Sequence, residues 1–142
     1  MTIEQIRLVQ ASYRKVFPVK ELVAGAFYRR LFELDPVLKV LFKHDMKEQR
    51  KKFMDMLDLV VGGLYKFEED VVPIVRALGE RHVTYGVKPE HYQTLKQALF
   101  GALEDALADD FAGETKEAWA ATYDLLARAM IELPSAPGDS SS

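Results

Sequence analysis

The chain has 142 residues, of which 49% are hydrophobic and 29% are charged, and this length suits one domain with its own core. Its formal net charge of −3 gives no reason to expect nucleic acid as a partner, and the lack of cysteine excludes disulfides, thiolate metal ligands and a cysteine nucleophile. Because no apolar segment could span a bilayer and the first residues lack the pattern of a secretory signal, we expect a cytoplasmic protein with no membrane partner.

Apolar residues recur at helical spacing along almost the whole chain, which predicts an all-α fold. Thr2 followed by Gln5 has the pattern of a capping box, so a first helix should run from there to about Phe17. The second helix should end at Asp35-Pro36 and lie near the centre of the fold, because its apolar arc is too wide for a surface helix. The residues of this arc are Leu22, Val23, Ala26, Phe27, Tyr28, Leu31 and Phe32.

A short helix from Val37 to Phe42 is predicted next, followed by a long amphipathic helix from about Asp45 to Phe67. The stripe of the long helix that should face the core consists of Met46, Gln49, Arg50, Phe53, Leu57, Val60, Val61 and Leu64. The face that should point to solvent carries Lys51, Lys52, Asp55 and Asp58. This helix should therefore cover one whole side of the core.

Three more helices complete the prediction. One runs through Pro73 to a stop near Gly86, and its inward residues are Val71, Val75, Leu78 and His82. The next opens at Pro89, and its inward residues are Tyr92, Leu95, Leu99, Ala102, Leu103 and Ala106. The last follows Gly113, and its inward residues are Trp119, Tyr123, Leu126, Met130 and Leu133. Residues 135–142 have no apolar anchor and should be disordered, which leaves one domain over residues 1–134.

His82 is the sharpest chemical feature of the sequence, because it falls within the apolar arc of its helix and so faces the core. A buried histidine is either satisfied by a backbone carbonyl or bound to a metal. Tyr28 and Gln49 place a phenol and an amide on the inward faces of two other helices. This favours the metal ligand, since a haem site needs an axial base and hydrogen-bond donors on the vacant side. His44, in a polar loop, and His91, at a helix start, are expected to be exposed.

Four parts of the sequence together resemble the globin family, in particular single-domain bacterial globins and the haem domain of flavohaemoglobins, over about residues 2–133. They are Pro36 with Phe42, the segment 78–87, His91-Tyr92 and the segment 118–123. The resemblance implies a globin fold of about seven to eight helices around one non-covalent haem b. It also makes His82 the proximal ligand of the iron.

The resemblance further implies the walls of the haem pocket. Phe42 is similar to the phenylalanine that stacks on the porphyrin, and Tyr28 and Gln49 are similar to the distal tyrosine and glutamine of bacterial globins. The other implied haem contacts are Phe53, Leu57, Leu78, Val87, Tyr92, Leu95 and Leu126. The side chains that could reach a haem propionate are His44, Lys52 and Arg81, although a solvated position is favoured for each.

Two positions depart from the pattern of the relatives. Phe53 replaces a smaller aliphatic residue, which bears on ligand access. The acidic residue that flavohaemoglobins carry on the last helix falls here at about Pro134, with Glu132 nearby but out of register. We therefore do not expect a strong hydrogen-bonded push on the proximal histidine or a peroxidase-like activity.

The functions implied by the resemblance are binding of O2, and also of NO and CO, at a five-coordinate iron. O2 storage or transport and NO detoxification come first, and an NO dioxygenase would need an external reductase as its partner. Whether the protein is an enzyme stays open at this point. The alternatives are a haem-based gas sensor that acts through a partner protein and a haem-free interaction module. We expect a monomer or a weak homodimer.

Overall fold

The computed structural model describes residues 1–42, 45–84 and 87–131, with residues 82–84 described by their helical backbone. Its α-helices are α1 (Ile3–Val16), α2 (Lys20–Leu34), α3 (Met46–Gly62), α4 (Val72–Thr84), α5 (His91–Leu107) and α6 (Gly113–Ile131). Short 3-10 helices lie at Phe17–Val19, Pro36–Leu41, Leu64–Lys66 and Ala108–Asp110, and one π turn lies at Phe67–Val71. The described ranges contain no strand, which confirms the all-α class. They hold six α-helices instead of seven to eight, because several expected helical segments are 3-10 or π turns.

The first helix begins where the sequence predicts. Thr2 Oγ1 accepts a hydrogen bond from the Gln5 N–H at 3.0 Å, and Gln5 Oε1 accepts one from the Thr2 N–H at 3.0 Å. Asp45 caps α3 in a similar way, since its Oδ1 accepts from the Lys47 N–H at 3.0 Å. These bonds satisfy backbone donors that a helix start leaves without partners.

The long helix expected up to Phe67 is shorter in the structure, where α3 ends at Gly62. Gly63 adopts a turn, and a Cβ built on it would lie only 2.5 Å from Val71 Cγ2. Val71 is completely buried, so the chain can pass it closely only where there is no side chain. The 3-10 and π turns that follow redirect the chain into α4.

The central helix α2 packs mainly against α5 and α3. Arg30 of α2 reinforces the contact with α5, because its Nη2 donates to both carboxylate oxygens of Asp105 at 2.9 Å. The arc of α2 is narrower than predicted, since Leu22 is 74% exposed. Val37, in the following 3-10 helix, is 72% exposed. The remaining residues predicted for the arc of α2 are buried or half-buried.

The face of α3 that was expected to be solvated includes one residue with a structural role. Asp58 accepts a hydrogen bond from the hydroxyl of Tyr13. It also forms an ion pair with Lys20, whose Nζ lies 3.2 Å from Oδ2 of Asp58. Burial, together with the neighbouring Asp58, raises the pKa of the Tyr13 phenol. The prediction of a solvated Asp58 was therefore wrong, and this carboxylate joins α3 to α1 and to the start of α2.

Helix α4 lies against α6 at a very close crossing. A Cβ built on Gly79 would lie 2.7 Å from the carbonyl oxygen and 3.0 Å from the Cα of Met130. This crossing fixes the position of α4, which carries Leu78 and His82. Within the described ranges, no helix combines the length and the apolar character needed to cross a membrane.

We predict that Gly79→Ala destabilises the protein by about 1–3 kcal/mol, because the added methyl group must push α4 away from the backbone of α6. Gly25→Ala is the matched control. Gly25 also lies inside a helix, but nothing lies within 4 Å of its added Cβ, so alanine should raise stability by about 0.5–1 kcal/mol. Urea unfolding of both variants measures the two effects, and a stabilised Gly79→Ala would contradict the close crossing.

Candidate functional site

An apolar cavity lies among α2, α3, α4, α5 and α6, and about 790 Å³ of free space lies inside it when the solvent at its open mouth is included. All ten residues that the sequence analysis assigned to the cofactor pocket line it: Tyr28, Phe42, Gln49, Phe53, Leu57, Leu78, Val87, Tyr92, Leu95 and Leu126. The other lining residues are Phe27, Leu31, Leu38, Met56, His91, Leu99, Tyr123, Ala127 and Met130.

A phenol and an amide form the polar part of the wall. Tyr28 of α2 is 5% exposed, and Gln49, in the first turn of α3, donates from Nε2 to the Tyr28 hydroxyl oxygen at 3.2 Å. Burial raises the pKa of Tyr28 to about 12, against the opposing effects of the Gln49 hydrogen bond and the charge of Arg50. The phenol therefore stays protonated at neutral pH, and its oxygen already accepts from Gln49. Its own proton can be donated to a ligand in the cavity.

Aromatic rings fix the orientation of Tyr28. Phe53 stacks on Phe27 with ring centroids 4.2 Å apart and planes at 14°. Phe42 meets the Tyr28 ring edge-on at 5.5 Å, and Phe53 meets it edge-on at 5.8 Å. Such edge-to-face contacts favour one ring position over others. The bulky Phe53 is thus part of an aromatic wall beside the phenol.

A second phenol links α5 and α6, which form another part of the cavity wall. The Tyr123 hydroxyl donates to the backbone carbonyl of Tyr92 at 2.5 Å, and burial raises the pKa of both phenols. Leu78 of α4 completes this side of the cavity. His82 lies four residues later in the same helix, in a position that shares the face of Leu78. The prediction for the His82 ring itself falls outside the described side chains.

His91 differs from its prediction. It was expected to be exposed, yet it is half-buried and lines the cavity. Its Nδ1 accepts a hydrogen bond from the Lys88 N–H at 2.9 Å, which holds the ring against the start of α5. Lys52 and Arg81 are exposed, as favoured. The predictions for His44, Gly86, Glu132, Leu133, Pro134 and residues 135–142 fall outside the described residues.

Several lining residues were missed as site residues although the sequence contained a signal for them. Met56, Leu99 and Met130 follow the predicted lining residues Phe53, Leu95 and Leu126 by three or four positions, the spacing of one helical face. Leu38 had no such signal, because it lies in a 3-10 helix where that spacing does not apply.

Comparison with known proteins identifies the family. A family model described as Globin matches residues 25–130. This chain belongs to the globin family. It is similar to the flavohemoprotein of Bacillus subtilis (strain 168), with 27% identity over 113 residues that cover 78% of this chain and 28% of that protein. It is also similar to an anaerobic nitrite reductase of Oryza sativa subsp. indica, with 30% identity over 136 residues, 90% of this chain and 92% of that protein.

This globin spans about a third of the length of the flavohemoproteins that it matches, from 28% to 33% of the first four relatives of that type. Among solved structures, a bacterial globin from Campylobacter jejuni superposes with a TM-score of 0.80, over 93% of this chain and 95% of that one. Its sequence identity is 24%, so this likeness supports the fold alone.

The cofactor of this globin is haem b, and the cavity fits it. Its walls are mostly apolar, as the faces of a porphyrin require, and it is partly open to solvent, as the charged carboxylates of a haem require. A buried phenol with a hydroxyl proton available for donation is a polar group suited to a small ligand of the iron.

The raised pKa of Tyr28 predicts a pH dependence of stability. An unfolded tyrosine loses its proton near pH 10, whereas the native phenol keeps its proton up to about 12. The stability associated with this group is complete below pH 10 and is lost as the pH rises from there through the native pKa. Tyr28→Phe should therefore make the fall of the unfolding free energy above pH 10 shallower by about 1.4 kcal/mol per pH unit. Urea unfolding of the apoprotein tests this, and an unchanged slope would contradict the buried phenol.

Proposed function

We propose that this globin holds haem b through His82 and binds a diatomic gas, O2 before NO or CO, beside Tyr28 and Gln49. The observation that carries the proposal is the Gln49–Tyr28 hydrogen bond inside a mostly apolar cavity. A buried phenol and amide would be costly in a purely structural core, where apolar residues of similar volume pack without loss. Their position on the cavity wall supports a role toward a ligand.

When bound, haem supplies the iron to which such gases coordinate. The residues of the chain provide the surroundings. The aromatic and aliphatic walls exclude water, and the Tyr28 hydroxyl donates a hydrogen bond to the ligand. A bond of this kind to a group with negative charge contributes about 1.5–3 kcal/mol. Gln49 restrains the phenol by donating to its oxygen.

A donor of this strength slows the release of O2, which supports O2 retention for reaction with NO more than bulk O2 transport. An NO dioxygenase activity is therefore part of the proposal, with an external reductase as the partner that returns electrons to the haem. The likeness to flavohemoproteins over their globin-sized portion supports this choice. The sensor alternative, the cytoplasmic location, the oligomeric state and the domain boundary at residue 134 stay predictions.

We predict that His82→Gly abolishes stable haem uptake, because no other imidazole in the sequence is expected to bind the iron. Added imidazole should restore a Soret band, since it can take the place of the missing side chain. His44→Gln is the control and should keep a normal haem content. Absorbance spectra and iron content measure both variants. Full haem retention by His82→Gly without imidazole would reject the ligand assignment.

A second prediction concerns the distal pair. Tyr28→Phe keeps the ring but removes the donor, so O2 dissociation should become roughly 10- to 150-fold faster, whereas CO dissociation should change much less. Gln49→Leu should act in the same direction but more weakly, because the amide acts through the phenol. The two effects should be non-additive, as expected for residues in one hydrogen-bonded pair. Stopped-flow measurements on the single and double variants test this, and unchanged O2 release in Tyr28→Phe would count against the phenol.

A further inference from the structure

His91 borders the cavity at the beginning of α5, beside Val87 and Tyr92. It is the one histidine whose side chain belongs to the described part of the chain. It is half-buried, so one edge of the ring can meet a molecule in the cavity while the site keeps contact with solvent. The proposed function gives this ring no role.

One hydrogen bond to the ring fixes its position and the tautomer of its neutral form, and a second bond fixes the backbone beneath it. Nδ1 accepts from the Lys88 N–H at 2.9 Å, and the His91 N–H donates to the Lys88 carbonyl at 2.9 Å. The Nδ1 bond resembles one half of a capping box, in which a Glu or Gln side chain accepts from the backbone N–H three residues before it, although the N-cap of α5 itself is Glu90. Because Nδ1 accepts, the neutral ring carries its proton on Nε2, which is therefore a donor.

Several other polar atoms of the cavity wall have partners within the chain. Tyr28 and Gln49 bond to each other, and the Tyr123 hydroxyl donates to the Tyr92 carbonyl. Among the described residues, no acceptor is within hydrogen-bond distance of His91 Nε2. Nε2 is thus a donor without an acceptor among the described residues, on a side chain that lines the cavity.

We propose that His91 Nε2 binds a carboxylate of the bound cofactor, that is, one haem propionate at the open side of the cavity. This inference rests on the proposed function, since it requires that the cavity holds haem. A carboxylate avoids a fully apolar wall because its burial is costly, so it lies where solvent and a donor are both within reach. The half-buried edge of His91 meets both conditions, and its fixed tautomer makes it a positioning residue for the cofactor.

The test separates the donor on Nε2 from the cap on Nδ1. His91→Glu keeps an acceptor for the Lys88 N–H, as in an ordinary capping box, but replaces the donor with a negative charge. We expect it to lose haem b about five- to tenfold faster than the unaltered protein, measured as transfer of haem to an excess of a high-affinity apoglobin. Lys51→Gln is the control, because exposed Lys51 already pairs with Asp55 at 3.0 Å, and it should change the rate by less than about twofold.

The same measurement with haem dimethyl ester, whose propionates are esterified, decides whether His91 acts on a carboxylate of the cofactor. The difference between His91→Glu and the unaltered protein should disappear with the ester, because no carboxylate remains to be bound. Thermal unfolding of the apoprotein should be nearly unchanged in His91→Glu and lowered in His91→Ala, which loses the cap. Equal acceleration of the loss of both haem forms would mean that His91 only shapes the pocket, and would overturn the inference. Failure of the unaltered protein to take up haem would instead reject the proposed function, and this inference with it.

Discussion

The helices of this globin pack around a space that their own side chains do not fill. Protein interiors are normally close-packed, and an apolar cavity weakens a fold because the atoms that line it lose contacts. A ligand with apolar faces restores those contacts and stabilises the native state through its binding free energy. Fold stability and cofactor binding are therefore coupled, because Leu57 and Leu126 belong to the buried core and also line the cavity, so that a body filling the cavity adds contacts to core residues.

A polar pair inside such a cavity has to be held in place, and the structure achieves this with rings. The Phe27–Phe53 stack and the edge of Phe42 restrict the Tyr28 ring, and Gln49 then fixes the hydroxyl oxygen. Phe53 has a second role in this arrangement. From the sequence it was a departure that bore on ligand access, whereas in the structure it also supports the donor. Access and donor orientation therefore depend on the same side chain.

The sequence predicted the helical class and the capped start of α1, and the ten residues that it assigned to the pocket line one cavity, because all of these depend on local patterns. Helical periodicity identifies inward faces, and a shared cavity follows when those faces meet. The end of α3 could not be predicted in this way, since it depends on the close passage of Gly63 past Val71, a contact set by tertiary packing. The position of His91 was missed for a related reason: a helix start has no periodic neighbours on one side, so burial there depends on the loop before it.

Helix α6 determines the geometry of the α4 and α5 side of the cavity, because it is fixed to each of these helices by a different contact. Its backbone at Met130 touches Gly79 of α4, and its Tyr123 hydroxyl reaches the Tyr92 carbonyl of α5. The Tyr28–Gln49 pair belongs to α2 and α3 and is held by aromatic packing and a hydrogen bond of its own. Because the two sets of contacts have no residue in common, changes in α6 should act mainly on how firmly the cofactor is held. Changes around Tyr28 should act mainly on how long a gas ligand stays.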